Sequence, residues 1–439
     1  MDELEIKLVL QFSVPKYGLT VNGILQGLEE QAPKILSTLT QGIFHALEER
    51  AMNDLMAEDS ERYQKNGYQS TKRKMKTFYG TVRYRPRQLI DRHTGKKVYP
   101  LPQSLNWLPY RQYQPGALEP GVGLAMHLSY RQASSEGQRI QGHGPSKSTL
   151  HRGVQELAES VGKWPYLKQR SFRFLMVDGT KVRLQGPKGK DLGHADMRWA
   201  LASVGPGKPF EPVGFWINKS WAVIRRDLEK RLNYEKLEVV FSDGGPGVGE
   251  NLLAPGMRLQ RCLWHGKRDF PYILYQDGFK KADQEPLKAL LKAIPAFGLR
   301  MPRLEQIDSK DYDLVQDLAQ QTREGFAGLL ETLDPKKYPK SHTYLENLYE
   351  NTMTFFDYFF QKQKWIPLTT NAIESAFSRV TDRIKGKGKR WSDHGLLNWL
   401  MLAYRKIFKP KFWAKLWSQY LKVNQIIKLN SLKISYAWL

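Results

Sequence analysis

SFRFLMVDG, residues 171–179, is an apolar run that ends in an aspartate followed by a glycine. A second stretch of the same kind, LEVVFSDGG, covers residues 237–245. Short apolar runs that are bounded by turn residues are typical of buried strands. Because the ends of adjacent strands meet at one edge of a sheet, we expect Asp178 and Asp243 to lie side by side. For either aspartate alone, an ordinary strand-end turn is the alternative interpretation.

The segments around these two runs predict the rest of a mixed sheet. An amphipathic helix is predicted at 218–232, and a basic, glycine-rich hairpin at 186–194. Further strands are predicted at 181–184, 197–205, 211–218 and 256–265. Three strands, a helix and two more strands are the order of an antiparallel meander joined to parallel strands. This is the order of a ribonuclease H-like core, so the predicted fold class is α/β, multidomain.

The net charge indicates a polyanionic partner. The chain has 439 residues, with 68 Lys and Arg against 44 Asp and Glu, which gives a formal charge of +24. Residues 71–100 carry ten cations and one acid, and residues 361–439 carry sixteen cations and three acids. Aromatic residues alternate with these cations, as they do where bases stack on rings and phosphates bind Lys or Arg. Solvated basic surfaces are the alternative.

Cysteine content and hydropathy exclude several classes of protein. A single cysteine excludes a disulfide framework and a Cys-rich zinc site, and it fits a reducing cytoplasm. No apolar run approaches the length of a membrane-spanning helix. The first residues, MDELEIKLVL, are acidic where a signal peptide is basic. We therefore expect a cytoplasmic protein without a membrane partner.

The patterning divides the chain into seven regions. They are a helical N-terminal region (1–70), a basic β-hairpin region (71–110), a helix-turn-helix-like DNA-binding region (111–168), the first part of the core (169–280), an all-α insertion (281–364), the second part of the core (365–410) and a basic C-terminal tail (411–439). For the hairpin region, contact with a DNA backbone and a purely structural role are equally good interpretations.

Residues 129–161 are typical of two helices joined by a glycine-containing turn. The second helix starts with serine capping chemistry and carries Lys147, His151 and Arg152. This is the helix-turn-helix pattern, in which the second helix enters the major groove. Many helical hairpins share the pattern, and the net charge favours the DNA-binding interpretation.

TTNAIES, residues 369–375, brings one carboxylate, Glu374, to the start of a predicted helix that is otherwise basic. One interpretation is a capping box formed by Asn371 and Glu374. The other is that the helix packs on the edge of the sheet and places Glu374 there as a third carboxylate. In that case the neighbouring cations bind DNA phosphates. Those cations are Arg379, Arg383, Lys385, Lys387, Lys389 and Arg390.

Paired carboxylates predict a metal site. Two adjacent acids cannot both stay ionised at low cost unless a cation lies between them. Oxygen ligands in a phosphate-binding protein favour Mg²⁺, with two ions as the expected number and Mn²⁺ as a substitute. The CLWH motif supplies Cys262 and His265, but two ligands do not complete a tetrahedral zinc site. A role beside the active site or in packing is expected instead.

Four motifs in order, VDGT, SDGG, CLWH and TTNAIESAFSRV, resemble those of the DDE transposases of bacterial insertion sequences, of the Mutator-like type. The resemblance covers about residues 172–405. It implies a catalytic, metal-binding triad of Asp178, Asp243 and Glu374, with Cys262, His265 and Asn371 as accompanying residues.

The resemblance also implies a reaction and partners. A transposase binds insertion-sequence ends, hydrolyses a phosphodiester and transfers the freed strand to target DNA. Double-stranded DNA, a homo-oligomer that pairs two ends, and a prokaryotic, nucleoid-associated location are therefore expected. Two alternatives stay open: a ribonuclease H-like, structure-specific nuclease that does not join strands, and a domesticated, non-catalytic DNA-binding regulator.

Overall fold

The structure, a computed structural model, describes residues 3–105, 107, 111–141, 144–161, 167–307, 311–386, 389–421 and 426–432. The chain forms two compact units, one of residues 1–160 with 411–439 and the other of residues 161–410. Within the described residues, no helix is both long enough and apolar enough to span a membrane.

A single long helix begins the first unit. Helix α1 (Val21–Glu58) starts at Thr20, whose side chain accepts a hydrogen bond from the backbone N–H of Gly23. The helical character predicted for the N-terminal region is present as one helix of 38 residues that continues through Pro33. Apolar residues keep helical spacing on both sides of this proline.

Five short strands follow α1. They are β1 (Tyr63–Tyr68), β2 (Arg73–Thr77), β3 (Gly80–Tyr84), β4 (Arg87–Asp91) and β5 (Lys97–Val98). Strands β1, β4 and β5 form one antiparallel sheet, and β2 and β3 form a separate hairpin. The predicted β-rich character of this basic region is confirmed. Helix α1 packs on it, with the rings of Phe44 and Tyr84 5.6 Å apart and the buried Glu48 accepting a hydrogen bond from the N–H of Arg87.

Four helices complete the N-terminal part. They are α2 (Pro100–Ser104), α3 (Pro115–Ala125), α4 (Tyr130–Gln141) and α5 (Lys147–Val161). Helices α3 and α5 are in close contact, because a Cβ added to Gly121 would lie 2.6 Å from the side chain of Leu150. The two helices predicted over residues 129–161 are present, while the helix-turn-helix interpretation stays a prediction.

The second unit is built on a five-stranded mixed sheet. Its elements are β6 (Phe174–Gln185), β7 (Asp191–Ser203), β8 (Glu211–Ile217), α6 (Trp221–Arg231), β9 (Val239–Ser242), α7 (Val248–Leu252) and β10 (Arg258–Arg261). The strand order is β10-β9-β6-β7-β8. Strands β6, β7 and β8 are antiparallel, and β9 is parallel to both β6 and β10. The predicted mixed sheet and its order of elements are confirmed.

Strand β6 differs from its prediction in length. It continues past Asp178, which pairs with Trp199 of β7, so the turn predicted after this aspartate is wrong. In the long hairpin with β7 the chain stays extended, and the side chains of Val182 and Leu184, near the end of β6, are buried. A turn at the Asp-Gly dipeptide would expose these apolar residues.

Strand β10 is shorter than its prediction. It ends at Arg261, and helix α8 (Leu263–Gln276) begins directly after Cys262. The CLWH motif therefore belongs to a helix start, and the strand predicted as far as residue 265 is wrong there. The N–H of Cys262 donates to the carbonyl of Ser242, which ties the start of α8 to the end of β9.

The main core of this unit lies between the sheet and α6. Ser220 caps α6 by accepting a hydrogen bond from the N–H of Val223. Ile224 and Leu228 of α6 are buried in one cluster with Leu175 and Val177 of β6. Burial of this face fixes which side chains of β6 point away from α6, including Asp178, the next residue after Val177 along the strand.

The remaining helices are α9 (Lys281–Ala293), α10 (Met301–Leu304), α11 (Tyr312–Glu331), α12 (Pro339–Thr352), α13 (Thr354–Lys362), α14 (Asn371–Ile384), α15 (Asp393–Ala403) and α16 (Pro410–Leu421). The predicted helical character of residues 281–364 is confirmed. A π-helical turn, Tyr404–Phe408, follows α15. In α16, which begins the C-terminal part of the first unit, Trp413 and Trp417 are buried.

Candidate active site

Asp178 and Asp243 are held level with each other by the parallel pairing of β6 and β9. The last pair in register is Met176 with Phe241. Each aspartate lies two residues beyond its member of that pair, and residues two apart on a strand share a face. The sheet therefore brings the two carboxylates together, although Asp178 lies within its strand and Asp243 just after the end of its own.

The surroundings of Asp178 oppose its ionisation. Burial raises its pKa, and the charges of Asp243 and Glu374 raise it further, to about 6. A 2.6 Å hydrogen bond from the N–H of Gly179 and the charge of His265 act in the opposite direction. The influence of Glu374 on this pKa indicates that all three predicted triad members share one electrostatic environment.

The loop after β9 is packed closely around Asp243. The N–H of Gly245 donates to the Asp243 carboxylate at 2.9 Å. Gly244 has a φ of 94°, and a Cβ there would lie 2.2 Å from Nε of Arg261. Arg261 is buried, lies 4.3 Å from the centre of the Tyr344 ring, and its Nε has no hydrogen-bond partner within the described residues. This loop is therefore backed by a buried cation.

Helix α14 carries Glu374 in its first turn, where the helix dipole favours an acid. The N-cap is Thr370, whose hydroxyl donates to the Glu374 carboxylate at 3.2 Å. No side chain caps the backbone at this helix start. The predicted capping box requires Asn371 as the N-cap. That prediction is wrong, because Thr370 is the N-cap and Asn371 is already the first residue of the helix. The Asn371 side chain is exposed.

Cys262 and His265 lie beside Glu374. Cys262 is the N-cap of α8 and accepts a hydrogen bond from the N–H of Thr370 at 3.3 Å. The Nδ1 atom of His265 is 3.4 Å from the Thr370 hydroxyl and 3.7 Å from Oε1 of Glu374. Ligand atoms of Cys262, His265 and Glu374 all lie within 4.8 Å of one another. In the described part of the chain this is the one such group of three, and the two aspartates are not in it.

Cys262 and His265 form a coupled acid–base pair. Burial raises the pKa of the Cys262 thiol, but hydrogen bonds with His265 and Thr370 outweigh burial and lower it. Burial lowers the pKa of His265, but its hydrogen bond with Cys262 and the charges of Cys262 and Glu374 raise it overall. Both shifts favour the charged forms, a thiolate beside an imidazolium.

The predicted DNA-binding cations after Glu374 lie in different environments. Arg379 is exposed and lies over the Phe408 ring, at 5.3 Å. Arg383 is 7% exposed, with its guanidinium 4.5 Å from the Trp391 ring centre and 5.6 Å from that of Trp399. The two indoles enclose Arg383 in this conformation, and its binding to DNA stays a prediction.

Three further cations of this segment make polar contacts within the second unit. Lys385 donates to the hydroxyl of Thr180, which is on the same face of β6 as Asp178. Lys389 donates to the carbonyl of Asp382, and the exposed Arg390 lies 3.5 Å from the Asp191 carboxylate. Lys387 lies outside the described residues. Among the described cations of this set, Lys385 is the one that donates a hydrogen bond to β6, two residues after Asp178.

On α5, the three predicted DNA-binding residues are exposed. Lys147 is the first residue of the helix, and Arg152 follows His151 directly. The His151 ring makes an edge contact with Tyr130 at 5.2 Å, and burial lowers its pKa. Partial burial of the ring therefore favours the neutral form of His151, and the DNA-binding role of these three residues stays a prediction.

Three residues of the site were missed in the sequence. Thr370 and Thr180 lie within two quoted motifs, TTNAIES and VDGT, and the hydroxyl beside the acid was the available signal. Arg261 directly precedes CLWH, but burial of an arginine at a strand end has no sequence signal.

Comparisons with known proteins give similarities in sequence. The model of the family described as "Uncharacterised protein family (UPF0236)" matches residues 17–192. The "UPF0236 protein in vanSb 3′region" of Streptococcus gallolyticus is 24% identical over 352 residues, which covers 75% of this chain and 71% of that protein. The solved "Drosophila P element transposase strand transfer complex" has a TM-score of 0.27 and 14% identity, covering 69% of this chain and 82% of that chain. At this TM-score the likeness carries no argument about fold or function.

Proposed function

We propose that the protein is a DDE-type DNA transposase, which binds insertion-sequence ends and catalyses metal-dependent phosphodiester hydrolysis and strand transfer. The observation that carries the proposal is the position of Asp178 on β6 level with Asp243, which directly follows the parallel strand β9. Glu374 is close enough for its charge to raise the pKa of Asp178. In this proposal the five-stranded sheet is a ribonuclease H-like core, and α9 to α13 are its all-α insertion.

The carboxylates have the chemistry of a site for a hard divalent cation. Asp178 and Asp243 each accept one backbone hydrogen bond, from Gly179 and Gly245. In the described part of the chain neither forms an ion pair with Lys or Arg, so a cation ligand has no side-chain cation to displace. Burial and, after it, the charge of Asp243 raise the pKa of Asp178, and a bound cation would offset both effects. Mg²⁺ takes such oxygen ligands, and Mn²⁺ is the expected substitute. When bound, two such ions activate water and stabilise charge at the scissile phosphate.

The residues of the chain prepare this site in three ways. Asp178 and Asp243 converge from the sheet, and the Thr370 hydroxyl orients Glu374 from the helix start. Asp178, with its pKa near 6, is mainly ionised at neutral pH and can bind a cation there. Lys385, bonded to Thr180 beside it, is placed to bind a phosphate of the strand that is cut.

The charge distribution supports double-stranded DNA as the partner. The formal charge of +24 favours binding to phosphates at low salt. Arg379 and Arg390 expose cations on the second unit, and Lys147 and Arg152 expose them on α5 of the first. We assign end recognition to the helix-turn-helix-like region of α4 and α5. A homo-oligomer is expected because a transposase must pair two ends, and a prokaryotic, nucleoid-associated location accompanies this activity.

Strand joining tests the proposal. The substrate is labelled DNA containing the gene's own flanking sequences, with a supercoiled target, in Mg²⁺. Wild type should give a joined product, and Asp243→Asn should lose cleavage and joining while it binds DNA with similar affinity. Asp196→Asn is the matched control, because Asp196 is an exposed aspartate on the neighbouring strand β7.

Each other outcome replaces the proposal. Cleavage without joining indicates a structure-specific nuclease. Binding without cleavage or joining, by wild type as well as the variant, indicates a DNA-binding regulator. Equal loss of cleavage and binding in Asp243→Asn contradicts the assignment of this residue as a metal ligand.

A further inference from the structure

A group of mixed ligand chemistry lies at the start of α8 and α14. It consists of Cys262, His265 and Glu374, whose ligand atoms lie within 4.8 Å of one another. Cys262 is 1% exposed and His265 is 7% exposed, whereas the Glu374 side chain reaches solvent at 39% exposure. We infer that these three side chains form a site for a thiophilic divalent cation such as Zn²⁺, with chemistry different from that of the two aspartates.

The distances suit such an ion. Zinc binds sulfur at about 2.3 Å and nitrogen or oxygen at about 2.0–2.2 Å, so tetrahedral ligand atoms lie about 3.3–3.6 Å apart. Nδ1 of His265 is 3.7 Å from Oε1 of Glu374. Small side-chain rotations are therefore sufficient to bring this pair to ligand spacing. The Thr370 hydroxyl, 3.4 Å from Nδ1 and 3.2 Å from Oε1, gives up these hydrogen bonds when the ion enters.

The site is built on well-fixed backbone. Cys262 and His265 are three residues apart at the start of α8, which puts them on one face of the helix. The N–H of Leu263 donates to the carbonyl of Leu368 at 3.0 Å, which joins the start of α8 to the segment that precedes α14. Ligands held by packed helix starts keep their geometry, as a specific metal site requires.

These three ligands disfavour Mg²⁺, which is the ion expected at Asp178 and Asp243. Thiolate and imidazole favour Zn²⁺ and Co²⁺, whereas Mg²⁺ takes oxygen ligands. The three side chains supply three positions, and a tetrahedral ion keeps its fourth position for water. The sequence argument against zinc counted Cys262 and His265 alone. The fold adds Glu374, which is 109 residues further along the chain than His265.

Sharing of Glu374 has a functional consequence, which rests on the proposed function. An ion held by Cys262 and His265 engages the same carboxylate that the transposase reaction assigns to the Mg²⁺ site. Stoichiometric Zn²⁺ should therefore inhibit cleavage in Mg²⁺, and a chelator should restore it.

Cobalt is a direct probe, since Cys262 is the one cysteine of the chain. Wild type titrated with Co²⁺ should develop a thiolate-to-cobalt charge-transfer band that saturates at one ion per chain. Cys262→Ser should lose the band. His265→Asn and Glu374→Gln should weaken the affinity for Co²⁺ by about 10-fold or more, as loss of a ligand does. Asp243→Asn should retain it.

A surface histidine provides the matched control. His342 lies 3.5 Å from Glu346 on α12, and His342→Asn should leave the cobalt spectrum unchanged. Circular dichroism of each variant checks that it is folded. Absence of the band in wild type overturns the site, and so does an affinity that is unchanged in both His265→Asn and Glu374→Gln.

The cleavage assay separates the two proposals. Wild type that binds Co²⁺ and cleaves DNA, but is not inhibited by equimolar Zn²⁺, overturns the sharing of Glu374. Wild type that binds Co²⁺ and never cleaves overturns the proposed function and leaves the thiophilic site standing. Both proposals are supported if Zn²⁺ inhibits cleavage by wild type and a chelator reverses the inhibition. Cys262→Ser, compared with its own cleavage rate without Zn²⁺, should be inhibited less.

Discussion

Asp178, within strand β6, lies level with Asp243, which follows the end of the parallel strand β9. Burial together with the charge of Asp243 raises the pKa of Asp178 to about 6. A carboxyl pKa that is raised in the folded protein means that the fold disfavours the ionised carboxylate. The two carboxylates are therefore held together at a cost to stability. Such a cost is typical of functional sites, where geometry is selected for chemistry over stability.

Replacement of Asp178 by asparagine should stabilise the metal-free protein. An unfolded aspartate ionises near its ordinary pKa of about 4, so between about pH 4 and 6 the folded chain binds more protons than the unfolded chain. The free energy of unfolding of wild type therefore falls as pH rises through this window. Asp178→Asn removes that loss, and its free energy of unfolding at pH 7.5 should exceed that of wild type by roughly 1–3 kcal/mol.

Urea unfolding in a chelator, at several pH values, measures this difference. It should disappear below about pH 4, where Asp178 is protonated in both states. Asp196→Asn, on an exposed residue of β7, is the control and should follow wild type at every pH. A lower stability of Asp178→Asn than of wild type at pH 7.5 contradicts the electrostatic account.

Thr370 should be needed to position Glu374. Its hydroxyl donates to Oε1 of Glu374 and lies 3.4 Å from Nδ1 of His265, while its own exposure is 0%. Thr370→Val keeps the shape and removes the hydroxyl, so cleavage should fall by about 10- to 100-fold, as it does when groups that orient ligands are lost.

Thr370→Ser keeps the hydroxyl and is the matched comparison. It should retain most of the cleavage rate, with unfolding midpoints used to correct for the missing methyl group. Equal losses of activity in Thr370→Val and Thr370→Ser indicate a packing role for this residue. A serine variant near wild type beside an impaired valine variant assigns the effect to the hydrogen bond.

Gly244 should tolerate no side chain. Its φ of 94° is unfavourable for other residues, and an added Cβ would lie 2.2 Å from Nε of the buried Arg261. Backbone strain of this kind costs about 1–2 kcal/mol, and overpacking adds about 1–3 kcal/mol. Gly244→Ala should therefore destabilise the protein by about 2–5 kcal/mol and displace Asp243, with a loss of cleavage.

Gly256 isolates the contribution of backbone strain to this effect. It has a φ of 82°, but a Cβ there meets no atom within 4 Å. Gly256→Ala should cost about 1–2 kcal/mol and leave cleavage intact. Denaturation midpoints and cleavage rates of the two variants should be compared directly. Similar losses of stability in both would assign the effect at Gly244 to backbone strain alone.

The order of the sheet was predictable because local patterns carried it. Apolar runs with helical or extended spacing gave the strands and α6, and the parallel pairing of β6 with β9 brought together the two aspartates. The continuation of β6 past Asp178 was not predictable, because Asp-Gly is a strong turn signal. The pairing of β6 with β7 overrides it through contacts that extend to Gln185 and Asp191.

Side-chain surroundings were less predictable than backbone. Arg379 and Arg383 have equal charge and helical spacing, yet one is exposed and the other is enclosed by Trp391 and Trp399. Only the packing of α14 with the chain that follows it distinguishes them. On α11, Val315 is buried whereas the adjacent apolar residue Leu314 is 50% exposed. The pattern of an amphipathic helix gives the spacing of its apolar residues more reliably than it gives which of two adjacent residues faces the core.

Lys385 should contribute to DNA binding through a phosphate contact. It lies at the end of α14 and donates to Thr180, two residues after Asp178. Neutralisation of one phosphate contact weakens binding to all sequences and lowers the slope of log affinity against log salt by about 1. Lys385→Gln should show both effects in fluorescence anisotropy between about 50 and 200 mM salt.

Lys288→Gln is the control, since Lys288 lies on α9 and pairs with Glu285 at 2.6 Å. It removes the same charge from the chain and should leave the slope unchanged. Equal changes in the two variants would mean that net charge alone governs binding. A slope that falls only in Lys385→Gln would place a DNA phosphate beside Thr180, close to the two aspartates, as cleavage at this site requires.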